Sequence, residues 1–189
     1  MVKPKIGVLA LQGDFEAHRN ALARAGAEGV EVRSASGLES IDGLIIPGGE
    51  STTMLKLIEE EQLFDALKDF GQRKPVFGTC AGAILLASEV VNPVQDSLGL
   101  MDFTIERNAY GRQVDSRIAG IDFDGKNAEA VFIRAPIIRR VGPTTHVLAK
   151  YQGAPVLLEQ GKHLAATFHP ELSGDERVHK RFVEKVKIA

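Results

Sequence analysis

Residues 75–87, Pro75-Val76-Phe77-Gly78-Thr79-Cys80-Ala81-Gly82-Ala83-Ile84-Leu85-Leu86-Ala87, decide the fold. Pro75 to Gly78 reads as a short buried strand, and Ala81 to Ala87 as an apolar helix that begins immediately after Cys80. A strand turning straight into a helix, with a cysteine at the turn and Gly78 and Gly82 beside it, is a nucleophile elbow with sulfur in place of oxygen. Such a turn lifts the side chain above the sheet in strained backbone geometry, and glycine stands where a Cβ would collide. The helix start favours thiolate over thiol and leaves the N–H of Ala81 to donate to an oxyanion formed by attack of that sulfur. Most lone cysteines are small buried hydrophobes, and it is the spacing around Cys80 that argues otherwise.

Upstream, short apolar runs alternate with amphipathic stretches, the rhythm of a parallel sheet covered on both faces. Ile6 to Leu11 reads as a strand, residues 14–25 as a helix carrying Phe15, His18, Leu22 and Ala25, and Val30 to Val32 as a second strand. Gly43 to Pro47 is a third strand, followed by Gly48-Gly49 and a helix that Ser51 can cap. A further helix carries Leu63, Phe64, Leu67 and Phe70. Downstream, from Phe103 to Phe168, β-branched and aromatic residues alternate with polar ones between turns at Asp124-Gly125, Gly142-Pro143 and Gln152-Gly153, which predicts strands with few helices. Helical spacing returns from about Gly174 through Val178, Phe182 and Val186, and residues 89–97 read as a loop. The prediction is one α/β domain over residues 1–189, a mixed and mostly parallel sheet flanked by helices.

Composition narrows the function. The 189 residues are 44% hydrophobic and 25% charged, with 23 basic against 25 acidic groups and a net charge of −2. A chain of this length buries roughly 70% of its unfolded surface without staples. The near-neutral balance offers no basic field for nucleic acid. Cys80 is the only cysteine, which excludes an internal disulfide and multi-cysteine zinc or iron–sulfur sites and suits a reducing compartment. No secretory signal pattern opens the chain, and no run reaches the roughly 20 apolar residues of a membrane span, so a cytoplasmic location is expected.

A thiolate nucleophile needs a base and a third group to hold the imidazole. Phe168-His169-Pro170-Glu171 offers both, at the end of the apparent strand Leu164 to Phe168. A His-x-Glu tripeptide is weak by itself and gains force from the upstream elbow. The remaining histidines, His18, His146, His163 and His179, lack such a setting and are read as surface or packing residues. Pro47-Gly48-Gly49-Glu50-Ser51, at the end of the third strand, lets backbone amides approach a ligand and reads as a second oxyanion donor; the Lys-Ser/Thr ending of a phosphate-binding loop is missing.

These residues together resemble the class I, triad-type glutamine amidotransferases, with their flavodoxin-like fold. Seven strings narrow the resemblance to the glutaminase subunits of pyridoxal 5′-phosphate synthases. They are Leu11-Gln12-Gly13 with Glu16 and His18, Pro47 to Thr53, Gly78 to Gly82, Glu106-Arg107-Asn108, Gly111-Arg112-Gln113-Val114-Asp115-Ser116, Phe132-Ile133-Arg134-Ala135-Pro136, and Phe168 to Leu172. The resemblance implies that Cys80 attacks the side-chain amide of L-glutamine to give a glutamyl thioester. His169 then protonates ammonia and activates water, and Glu171 orients His169. It further implies that Gly49, Glu50, Ser51, Arg107, Ile133 and Arg134 contact glutamine, a carboxylate suiting Arg and an ammonium suiting Glu. By the same token Gly48, Gly49 and Ala81 form the oxyanion hole, with a Gly48-Gly49 peptide flip completing it on docking. Ammonia passes to a (β/α)8-barrel synthase subunit that docks partly on Gln12 and the helix from residue 14, and no cofactor or metal is implied. The competing expectations are a glutaminase for a histidine or purine synthase, and a silent binding module. Peptidase and chaperone relatives often carry histidine directly after the cysteine, where this chain has Ala81.

Overall fold

The structure is a computed structural model, and its described residues are 2–108 and 116–189. The string at residues 111–115 therefore lies outside them. Along the chain run β1 (Lys5–Leu9), α1 (Phe15–Arg24), β2 (Glu28–Val32), β3 (Gly43–Ile46), α2 (Ser51–Glu60), α3 (Phe64–Arg73), β4 (Val76–Thr79), α4 (Ala81–Leu86) and β5 (Ala87–Val91). They continue as β6 (Met101–Glu106), β7 (Ser116–Phe123), β8 (Lys126–Ile133), β9 (Ile137–Val141), β10 (His146–Tyr151), β11 (Ala154–Gln160), β12 (His163–Ala166) and α5 (Arg177–Ile188).

Among the described residues the main sheet has seven strands in the order β10-β11-β12-β4-β3-β1-β2. The run from β12 to β2 is parallel, and β10 and β11 extend it antiparallel. Side-chain alternation sends Leu9, Leu44, Ile46 and Val76 to one face, under Met54 and Ile58 of α2, Leu67 and Phe70 of α3, and α4. Ile6, Val8, Ile45, Phe77, Leu164 and Ala166 point the other way, under Leu22 of α1, and Val178, Phe182 and Val186 of α5. Each fully buried side chain of this size is worth about 1.5–3 kcal/mol of transfer free energy, so the two faces hold the sheet in register.

Two smaller sheets build the second half. β5, β6 and β9 form one, and β7 and β8 form a hairpin turning at Asp124-Gly125, both residues at positive φ. The hairpin lays Ile121, Phe123, Ala128, Ala130 and Phe132 onto the α1/α5 face.

Two local expectations are corrected. Residues 89–97 do not all form a loop: α4 stops at Leu86, Ala87 takes extended backbone, and the β-branched Val90 and Val91 pair in parallel with Ile105 and Glu106. The cap of α2 is Glu50, not Ser51, because a carboxylate at the helix N-terminus accepts from two amides at once, those of Thr52 and Thr53, at 3.1 and 2.8 Å. Ser51 becomes the first helical residue and its hydroxyl donates to Gln95 Oε1 at 3.1 Å.

Candidate active site

The parallel strands β3, β4 and β12 end side by side, and their ends assemble the site. β4 ends at Thr79, and Cys80 follows at φ 49° and ψ −106°, a conformation that side chains rarely adopt, before α4 begins at Ala81. The Cys80 N–H donates to the Ala166 carbonyl at 2.8 Å, tying the elbow to the end of β12. Helix and sheet meet so closely here that a Cβ on Gly82 would lie 1.9 Å from the Ile46 carbonyl oxygen. The glycine beside the elbow is thus explained by contact distance.

Three residues past β12 stands His169, whose N–H donates to the Val131 carbonyl at 2.8 Å, so that β8 fixes it. A 3-10 turn over Pro170–Leu172 then folds Glu171 back, and Glu171 Oε1 lies 2.7 Å from His169 Nδ1. Both side chains are nearly buried. Burial alone would lower the imidazole's pKa, but hydrogen bonds to Cys80 and Glu171 and their charges override it, and His169 is pushed up to about 10. An imidazolium is therefore its resting form at neutral pH.

These groups open onto a cavity of about 240 Å³ whose wall includes Gly49, Glu50, Ser51, Cys80, Ala81, Arg107, Ile133, Arg134 and His169. Arg107 is only 10% exposed and reaches Glu50 Oε1 at 3.4 Å, which is not the setting of an ordinary surface charge. The Glu50 carboxyl is partly desolvated, which raises its pKa, yet hydrogen bonds from the hydroxyls and amides of Thr52 and Thr53 prevail and hold it at about 2. It is an anion throughout the physiological range. Arg134 is held at φ 45° at the cavity wall, so two of the chain's positive-φ non-glycine residues, Cys80 and Arg134, line one hollow. The Ile133 carbonyl lies 3.9 Å from Cys80 Sγ. Gly49 has φ 146°, and Gln12 Oε1 accepts from the Glu50 N–H at 3.2 Å, so Gln12 braces the glycine turn. Gly48 is packed against the triad: a Cβ there would be 2.5 Å from His169 Cε1.

Sequence reasoning missed part of the wall and part of the support. Ile84, Asn108 and Pro136 also line the cavity. Asn108 and Pro136 sit within strings already singled out, while Ile84 gave no signal beyond its place one turn into α4. His18 and His179 are packing residues as expected, both fully buried, but His18 reaches the site: its Nε2 lies 3.4 Å from Glu171 Oε2. His163 is buried and accepts the Val76 N–H at its Nδ1, and His146 is exposed.

Comparison with known proteins shows the family. The model of the SNO glutamine amidotransferase family matches residues 8–188. The chain is similar to proteins named pyridoxal 5′-phosphate synthase subunit PdxT. That of Solibacter usitatus is 61% identical, over 96% of this chain and 99% of the relative; that of Koribacter versatilis is 56% identical, over 97% and 96%. A crystal structure described as a glutamine amidotransferase superposes with a TM-score of 0.90 at 48% identity, over 96% of this chain and 98% of the other. PurLQS from Thermotoga maritima, at 16% identity, TM-score 0.73 and coverage of 99% and 97%, shares the fold alone.

Proposed function

The chain belongs to the SNO glutamine amidotransferase family, and from that premise we infer that it is the glutaminase subunit of a pyridoxal 5′-phosphate synthase. It hydrolyses L-glutamine to L-glutamate and ammonia, and the ammonia passes to the synthase subunit. The observation that carries this reading is the meeting of the Cys80 elbow with the His169–Glu171 pair, 2.7 Å apart, in a cavity walled by Arg107 and Glu50.

The chemistry follows from the charges. Arg107 pairs with the α-carboxylate of glutamine, and the ionised Glu50 takes the α-ammonium. Gly49, Ser51, Ile133 and Arg134 shape the rest of the glutamine site. The Cys80 thiolate attacks the side-chain amide carbon, and the carbonyl electron pair moves onto oxygen. That oxyanion accepts from the Ala81 N–H and from the Gly48–Gly49 turn. As the C–N bond breaks, the His169 imidazolium gives its proton to the departing ammonia. The neutral imidazole then takes a proton from water, hydroxide adds to the glutamyl thioester, and glutamate leaves as the thiolate and imidazolium are restored. Glu171 holds the imidazole in the tautomer and orientation both steps require. At Gly49, glycine makes a peptide flip inexpensive, so docking of the synthase subunit through Gln12 and α1 can complete the hole.

We read the whole chain as one amidotransferase domain acting in the cytoplasm. Supporting this are the matched span of residues 8–188 and the free thiol of Cys80; among the described residues no helix is long and apolar enough to cross a membrane. The deciding experiment measures glutamate release from glutamine by the purified chain, alone and with the pyridoxal phosphate synthase subunit. Hydrolysis that rises sharply in the mixture is expected. Equal activity in both points to a freestanding glutaminase or another partner, and none in either overturns the reading.

A further inference from the structure

On the far side of Glu171 from His169, α1 and α5 bury two histidines that the chemistry above does not use. His18 and His179 are both completely buried, their ring centroids 5.3 Å apart. His18 Nδ1 is 3.0 Å from His179 Nε2, and His18 Nε2 is 3.2 Å from the hydroxyl of Thr79, the residue before the nucleophile, and 3.4 Å from Glu171 Oε2. Among the described residues Glu171 Oε2 is buried with no hydrogen-bond partner, the 3.4 Å approach of His18 Nε2 being close but not a bond, and His179 Nδ1 is likewise unpartnered.

These facts fix the protons. Burial first, and then the neighbouring His179 and His169, keep His18 well below the ordinary histidine range, and burial with nearby Arg24 holds His179 at about 3, so both rings are neutral. Each neutral ring has one N–H and one bare nitrogen. A bare nitrogen facing a carboxylate oxygen would set two lone pairs against each other in a dry interior, so the His18 proton belongs on Nε2. Nδ1 is then bare and must accept, which puts the His179 proton on Nε2 and leaves His179 Nδ1 as the bare atom. That is the nitrogen found without a partner, and an unfilled acceptor is the less costly orphan. A buried carboxylate with one unfilled oxygen is far more costly, so the Nε2–H of His18 has a definite task.

We propose that His18 is a positioning residue for the triad. Its Nε2–H, hydrogen-bonded to Thr79 Oγ1, oriented by the N–H of His179 and 3.4 Å from Glu171 Oε2, attracts the outer oxygen of Glu171 so that the inner one faces His169. Through Thr79 the same N–H ties the acid to the strand that carries Cys80. The sequence expectation of plain packing residues is thereby extended: α1 and α5 contribute polar order to the site as well as apolar cover.

The proposal rests on the triad reading, and its test separates the two. His18→Phe fills the space without a donor, whereas His18→Gln restores an N–H near the position of Nε2. In the complex with the synthase subunit, His18→Phe is expected to lower kcat about tenfold or more with the glutamine KM within about twofold, and His18→Gln to recover most of the loss. In the isolated chain, NMR titration of the His169 ring is expected to move down by about one pH unit in His18→Phe and to return toward wild type in His18→Gln. The groups facing His18 in that titration are His169 and Glu171 on the turn and His179 on α5, with Arg24 acting on His179. Because the titration needs no glutamine, a wild-type chain without glutaminase activity would count against the function. An unshifted His169 midpoint and unchanged kcat in a folded His18→Phe would overturn the positioning role, as would a His18→Gln no better than His18→Phe. Should His18→Phe not fold, His179→Leu removes only the N–H that orients His18; an unmoved His169 midpoint there also overturns the proposal.

Discussion

Replacing Gly48 by alanine tests how tightly the triad is held. The added methyl would sit 2.5 Å from His169 Cε1, 3.2 Å from its Nδ1 and 3.4 Å from Cys80 Cβ. Ordinary contact begins near 3.4 Å, so the imidazole must retreat by about 0.9 Å. A displacement of that size exceeds the slack in a 2.7 Å bond to Glu171 and moves the proton donor off the line to the leaving nitrogen. Misplacement by about 1 Å costs roughly 100-fold in rate, equivalent to about 2.7 kcal/mol of transition-state stabilisation. Folding suffers less, because Gly48 does not need positive φ and the obstructing atoms belong to a side chain; overpacking of this kind costs about 1–3 kcal/mol. The substitution removes no N–H, so the oxyanion donors stay intact. The assay is kcat for glutamate release at saturating glutamine in the complex, with circular dichroism confirming the fold. A folded Gly48→Ala with kcat within about threefold of wild type would refute the claim that this ring has no room to move.

Four further outcomes are expected. Cys80→Ala abolishes glutamate release, and persistence of product in that variant would sink the thioester mechanism. Arg107→Ala raises the glutamine KM about tenfold or more with a smaller effect on kcat, as loss of one charged contact predicts; steady-state kinetics that show kcat alone affected would contradict its placement on the α-carboxylate. Gly82→Ala drives a methyl to 1.9 Å from the Ile46 carbonyl oxygen and separates α4 from β3, costing about 3 kcal/mol and lowering Tm by about 6–12 °C; a thermal melt within 2 °C of wild type, roughly the shift of 1 kcal/mol or less, would remove the contact argument. Stability peaks near pH 6.5 and falls on both sides. Histidines with lowered values, His163 at about 4 and His179 at about 3, contribute fully above 6.5, and their contribution disappears as pH drops through those values. His169, raised to about 10, contributes fully below 6.5 and loses its share as pH climbs through 10, so a Tm that stayed flat from pH 6.5 to 4 in scanning fluorimetry would contradict the buried neutral histidines.

The parts of the site that a sequence reader can find are those written in short runs. The elbow at residues 78–82 needs only a strand, a cysteine and small neighbours, and His169-Pro170-Glu171 needs only one turn of chain. Interactions between distant segments leave no such trace. His18, His179 and Glu171 meet because α1, α5 and the 3-10 turn converge, and each taken singly looks like an ordinary residue in its own stretch. Alternation between residues 103 and 168 announces strands, but nothing local says that β12 enters between β4 and β11 or that β5, β6 and β9 form a sheet of their own. Ser51 is a good capping type by sequence, yet Glu50 caps α2 because it is placed to accept from two amides. Ala87 suits a helix by type, so the sequence alone predicts α4 through it, while the Val90-Val91 pair draws it into β5.

The place of β12 in the main sheet has a consequence for the life of the chain. It is among the last strands to be made, yet it lies against β4, far earlier in sequence, and its end receives the Cys80 N–H and presents His169 beside the thiol. While the ribosome is still adding the final third of the protein, the cysteine can exist only as an unarmed sulfur with no base beside it. A base beside the thiol thus requires the pairing of β12 with β4, a contact between distant parts of the sequence of the kind that forms slowly, and a chain cut short of β12 lacks both His169 and Glu171.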